Sequence, residues 1–133
     1  ADGGIKNSGD IVKALAAGAD MVMLGSLLAG TDETPGDVLS SSDGNKYKVY
    51  RGMASVEAQK AWRGSARSLE GVSTTIPYKG PVSNIISQLS QNIRSGLSYS
   101  GCRSIAEFHL SAKFVEQSSS GRMESTTHIM NSK

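Results

Sequence analysis

The sequence predicts an α/β protein. Three observations carry this: a glycine turn at Asp2-Gly3-Gly4, an amphipathic stretch that starts beside Ser8 and Asp10 and closes at Gly18, and the apolar run Met21-Val22-Met23-Leu24. Turn, helix and strand in that order are the repeating unit of a parallel sheet flanked by helices. The run does not alternate, which is the pattern of a strand covered on both faces.

In the helix, Ile11, Val12, Leu15 and Ala16 recur at the spacing of one face. Gly25-Ser26 ends the strand. Residues 31–48 and 63–75 are rich in small and polar residues and read as loops, with a short mixed segment from Val49 and a helical turn from Val56 to Trp62 between them. Loops of this length inside a domain are usually functional, and a lid is expected. Pro81 suits the first turn of a helix in which Val82, Ile85, Ile86, Leu89 and Ile93 share a face. Ser104 and Glu107 form a capping box for a shorter helix carrying Ile105, Phe108 and Ala112. Beyond Phe114 the chain is Ser-rich and polar and reads as a loose tail.

The 133 residues carry 14 Lys and Arg against 12 Asp and Glu, so the net charge of +2 excludes the dense basic surface of a dedicated nucleic-acid binder. No apolar run approaches the roughly 20 residues of a membrane span. The single cysteine, Cys102, cannot form an internal disulfide, and no Cys/His cluster has zinc-ligand spacing. A reducing, cytoplasmic setting is expected, with neither membrane nor nucleic acid as partner. The opening Ala1-Asp2-Gly3-Gly4-Ile5 has no initiator Met and starts on a turn signal, so the chain reads as the C-terminal portion of a longer protein.

Several residues could carry chemistry. The turns at Asp2-Gly3-Gly4 and Gly25-Ser26 fall at strand ends, where backbone N–H groups can converge on an anion; they also fit ordinary βα turns. Asp2 could accept hydrogen bonds from paired ribose hydroxyls or simply serve its turn. The Tyr50 phenol could reach a phosphate or pack. Glu70, beside Gly71, could act as an acid, base or ligand, or be a solvated loop charge. Cys102 and Met53 read as structural and pocket-lining respectively, and His109 and His128 as surface residues.

These motifs closely resemble the IMP dehydrogenase and GMP reductase family. The resemblance runs through residues 1–5, 9–20, 22–26 and 28–31, then Tyr50-Arg51-Gly52-Met53, Glu70-Gly71, Pro77-Tyr78-Lys79-Gly80 and residues 94–101, all in family order. It implies the C-terminal part of a TIM (β/α)₈ barrel with a long active-site flap. Residues 1–34 would hold the last βα units and phosphate site, 35–80 the active-site loop and flap, 81–116 the closing and C-terminal helices, and 117–133 a flexible tail.

By the same resemblance, Asp2 would hold the ribose hydroxyls. Gly3, Gly4, Gly25 and Ser26 would belong to the nucleotide site, where Gly4, Gly25 and Ser26 hold the phosphate through the backbone and Tyr50 adds its hydroxyl. Gly52, Met53 and Ala54 would contact the purine, with Glu70 and Gly71 beside it. Ser95, Gly96 and Tyr99 would contact the nicotinamide cofactor, and Glu124 and Ser125 would help bind potassium. The family's nucleophilic cysteine lies on a loop before the Asp-Gly-Gly strand, so Cys102 is not that residue, and this chain alone is expected to be inactive. A homotetramer, or association with the rest of the barrel, is expected.

Residues 56–69 contain no Arg-Tyr pair, which the dehydrogenases use to activate water, and Glu70-Gly71 matches the reductases. The resemblance therefore implies GMP reductase: GMP to IMP and ammonia with NADPH. Residues 77–81 and Gly121-Arg122-Met123-Glu124-Ser125 look more like the dehydrogenase ending, which keeps IMP dehydrogenase, oxidising IMP to XMP with NAD, as the alternative. A catalytically inactive nucleotide-binding or assembly module is a third reading.

Overall fold

The computed structural model describes residues 1–52, 56–65 and 73–125. It opens on the Asp2-Gly3-Gly4 turn and enters α1 (Ser8–Ala16). The helix is capped by Asn7, whose side-chain oxygen accepts from the Asp10 amide at 3.0 Å, while Asp10 Oδ2 accepts from the Lys6 amide at 3.1 Å. The start signal read at Ser8 thus belongs one residue earlier. An amide oxygen at that position satisfies an N–H that the first helical turn leaves free.

After α1 the chain returns to lie beside its own beginning. Asp2 and Met23 form a parallel bridge, the Met23 amide donates to the Ala1 carbonyl at 2.8 Å, and the amino terminus donates to the Met21 carbonyl at 2.7 Å. This is the expected parallel pairing through a crossover helix, reduced to one bridge. The apolar run differs from expectation in its burial: Met21 is 80% and Met23 64% exposed. Val22 and Leu24, pointing the other way, pack on the helical core. An unbroken apolar run signals cover on both faces, and among the described residues only one face is covered.

The second layer was not legible. Strands β1 (Leu39–Ser40), β2 (Lys46–Arg51) and β3 (Ser73–Pro77) form an antiparallel sheet in the order β1-β2-β3, with Tyr47 opposite Pro77 and Arg51 opposite Ser73. Residues read as loop therefore supply strands. Their Lys, Ser and Thr content hides them, and β2 meets β3 only after a long excursion that includes α2 (Val56–Arg63). Gly30 seats this sheet. Its φ is +87°, and a Cβ there would stand 2.5 Å from the Pro77 carbonyl oxygen.

Helix α3 (Val82–Tyr99) follows Pro81 as its cap residue, which offers no side-chain bond. Glu33 supplies one from a distance, its Oε2 accepting from the Val82 amide at 2.8 Å. Helix α4 (Ile105–Ser111) starts as expected: Ser104 Oγ accepts from the Glu107 amide at 3.1 Å, and Glu107 Oε2 accepts from the Arg103 amide at 2.8 Å. The core is Ile11, Leu15, Leu89, Cys102 and Phe108, where α1, α3 and α4 meet. Cys102 is buried there. His109 is half-buried rather than on the surface, its Nε2 lying 3.2 Å from the Ala19 carbonyl. Helix α5 (Ser119–Glu124) stands within the segment read as a tail, capped by Ser118. No helix among the described residues is long and apolar enough to cross a membrane.

Candidate functional site

The parallel bridge sets the geometry of the two glycine corners. Because Asp2 pairs with Met23, Gly4 and Gly25 each lie two residues beyond the bridge, at the same end of neighbouring extended segments. Gly3 and Gly4 have φ of +85° and +74°, a left-handed backbone that favours glycine, and no atom crowds the space where a Cβ would stand. The corner after Leu24 turns tightly, the Leu28 amide donating to the Gly25 carbonyl at 3.0 Å.

Over this second corner stands the three-stranded sheet. Tyr50, on β2, places its hydroxyl 3.9 Å from the point a Gly25 Cβ would occupy. Gly25, Tyr50 and Gly52 line one cleft of about 760 Å³, together with Leu24, Thr34 and Lys48. Cleft volumes of roughly 300–1,000 Å³ suit a small-molecule ligand. Tyr50 is half-buried, with a polar end facing a backbone corner.

Three lysine and tyrosine contacts near this cleft were not found from the sequence. Lys48 is 3% exposed and donates to the carbonyls of Thr31 at 2.8 Å and Thr34 at 2.7 Å, with Asp32 at 3.4 Å. Lys79 donates to the carbonyls of Leu27 at 3.0 Å and Ser26 at 3.3 Å, bracing the corner from outside. The Tyr78 hydroxyl donates to Asp32 Oδ1 at 2.5 Å, and this bond holds the phenol pKa above its usual 10.0. The one available signal was the i, i+2 spacing of Lys48 and Tyr50, which puts both on the same face of a strand.

Other expected site residues lie elsewhere. Met53, Ala54, Glu70 and Gly71 fall outside the described residues, as does His128. On α3, Ser95 is exposed and bonded to the Gln91 carbonyl at 3.1 Å, and Tyr99 is 92% exposed. Gly96 faces α1, where a Cβ would come within 2.7 Å of Val12 Cγ2. Ser95 and Tyr99, four apart, share an exposed helix face, and Gly96 packs on α1. Glu124 and Ser125 end α5, with Ser125 Oγ donating to the Gly121 carbonyl at 2.8 Å and accepting from Gln117 at 2.9 Å. Among the described residues, no group of three or more His, Cys, Asp or Glu converges to hold a metal ion.

Comparison with known proteins gives the family of the chain. The family model for the IMP dehydrogenase / GMP reductase domain matches residues 1–128. The chain belongs to this family. Its α/β architecture with an unclosed sheet is accordingly that of part of a TIM-barrel-type domain, and the family function is that of nucleotide-binding oxidoreductases. Similar curated proteins include inosine-5'-monophosphate dehydrogenases from Streptococcus pyogenes, 48% identical, and Nitrosopumilus maritimus, 47% identical. A GMP reductase from Leishmania donovani is also 48% identical. These alignments cover 96% of this chain but only 28–29% of each relative, so the chain spans just over a quarter of their length. A crystal structure of a Trypanosoma brucei GMP reductase variant in complex with guanosine 5'-monophosphate matches with a TM-score of 0.87 at 48% identity, covering 98% of this chain and 28% of that one.

Proposed function

We propose that the protein carrying these residues is a GMP reductase, converting GMP to IMP and ammonia with NADPH. The reading rests on one observation: residues 56–69, within the flap, contain no Arg-Tyr pair to activate a hydrolytic water. A reductase has no hydrolytic step and needs none. The ending at Gly121-Arg122-Met123-Glu124-Ser125, which resembles the dehydrogenases, weighs the other way, and the flap outweighs it because water activation is a chemical requirement of the dehydrogenase reaction.

In this reading the two glycine corners bind the 5'-phosphate through the amides of Gly4, Gly25 and Ser26, and the Tyr50 hydroxyl adds a further donor. Asp2 accepts from the ribose hydroxyls, and Gly52, Met53 and Ala54 contact the purine. The bound cofactor supplies a hydride to purine carbon two. Glu70 donates a proton to the departing amine, a general-acid role that contributes about 10²–10⁴-fold. Overall, GMP, NADPH and two protons give IMP, NADP⁺ and ammonium.

Ser95, Gly96 and Tyr99 would contact the cofactor, Ser95 and Tyr99 from an exposed helix face and Gly96 from beside Val12. Glu124 and Ser125 would help bind potassium across a subunit boundary, and no step of the reductase reaction depends on it. IMP dehydrogenase is the second reading, favoured by the relatives from Streptococcus pyogenes and Nitrosopumilus maritimus. The full-length protein decides between them. GMP-dependent oxidation of NADPH with release of ammonium is expected, and reduction of NAD with IMP, without reaction on GMP, would overturn the assignment.

A further inference from the structure

Lys48 is the most thoroughly enclosed cation among the described residues. An ammonium is costly to bury unless hydrogen bonds replace its water. Here they come from backbone carbonyls, those of Thr31 and Thr34 at 2.8 and 2.7 Å, with the Asp32 carbonyl at 3.4 Å. Lines of contact run onward from this turn. Thr31, fully buried, donates from Oγ1 to the Leu28 carbonyl at 3.0 Å, and the Leu28 amide donates to the Gly25 carbonyl at 3.0 Å. Thr34 Oγ1 closes the turn by donating to the Thr31 carbonyl at 2.7 Å.

Strand β2 therefore bears on the Gly25 corner at two residues. Tyr50 stands over it, its hydroxyl 3.9 Å from where a Gly25 Cβ would be, and Lys48, two residues earlier on the same strand, is linked to it by hydrogen bonds through Thr31 and Leu28. The strand cannot slide or tilt over the corner without breaking the bonds of Lys48.

We propose that Lys48 is a positioning residue for phosphate recognition. Its ammonium, bound by the Thr31 and Thr34 carbonyls, holds β2 against residues 25–34, so that the Tyr50 hydroxyl and the Gly25-Ser26 amides meet one anion at a preset separation. Preorganisation of this kind strengthens binding by removing the ordering cost from the binding step. The proposal rests on the reading of the two corners as a nucleotide phosphate site.

The test compares the affinity of the full-length protein for GMP with its affinity for guanosine, which lacks the phosphate. Wild type is expected to prefer GMP strongly. In Lys48→Met that preference falls about tenfold, in line with loss of a charge-assisted hydrogen-bond set. Lys48→Arg, which keeps the charge, recovers part of it. Guanosine affinity stays near wild type, a separation that general loss of stability does not produce. If Lys48→Met does not fold, Thr31→Val removes the bond to Leu28 at nearly constant volume, and a several-fold drop in the same preference is expected. An unchanged preference in a folded variant overturns the role of Lys48 alone. A wild type that binds guanosine as well as GMP overturns the phosphate-site reading and this proposal with it.

Discussion

At the scale of single residues, the proposed site is made of small backbone corners and one phenol. Tyr50→Phe deletes the hydroxyl that faces Gly25 but keeps the ring and its packing. If that hydroxyl binds phosphate equally in ground and transition states, KM for the nucleotide rises about tenfold while kcat changes little. Steady-state kinetics of the full-length variant would show it, and an unchanged KM would remove Tyr50 from the site. Gly30 matters for another reason, since its left-handed φ and the Pro77 carbonyl 2.5 Å from a would-be Cβ leave no room for a side chain. Gly30→Ala should destabilise the protein by roughly 1–3 kcal/mol and lower the urea midpoint. At the surface, Asp10 has its pKa lowered from 3.8, first by the hydrogen bond from Lys13, 3.0 Å away, and next by the Lys6 amide. A lowered carboxylate stabilises the fold above its unfolded pKa and loses that contribution as pH falls through the folded value. Lys13→Met should move the Asp10 midpoint upward toward 3.8 in an NMR titration.

Whole elements depend on close approach and on capping. Helices α1 and α3 cross where Gly96 meets Val12, with 2.7 Å between a would-be Cβ and Val12 Cγ2. Alanine ordinarily improves a helix interior by about 1 kcal/mol over glycine. At this crossing, overpacking of typically 1–3 kcal/mol opposes that gain. Gly96→Ala should therefore lower Tm, and adding Val12→Ala should recover much of the loss; a Gly96→Ala variant more stable than wild type would refute the close packing. The capping pairs Asn7/Asp10 and Ser104/Glu107 follow one plan, a side chain accepting from the amide three residues on. Such pairs are readable in a sequence because the interaction is local. Strands β2 and β3 are not local: Val49 pairs with Thr75, and neither segment alternates cleanly between polar and apolar residues. Their existence depends on cross-strand partners that no window of the sequence contains.

Across the whole molecule, the core is small and much apolar surface stays outside it. Met21 and Met23 are exposed at 80% and 64%, and Ile86, exposed at 45%, lines a groove with Val22, Leu24 and Leu89. Exposed apolar area on this scale favours association. The 133 residues expressed alone should self-associate, and a monodisperse, cooperatively unfolding monomer by light scattering and calorimetry would contradict this. The sequence by itself determined the α1 crossover, the α3 and α4 helices with their core faces, and the two glycine corners, because each depends on neighbours within a turn or two of chain. Only the tertiary structure decided that β2 lies over the Gly25 corner, that Lys48 is buried among carbonyls rather than solvated, and that Gly96 serves packing. Each of these is set by contacts between residues distant in the chain, and such contacts leave no periodic trace in the order of amino acids.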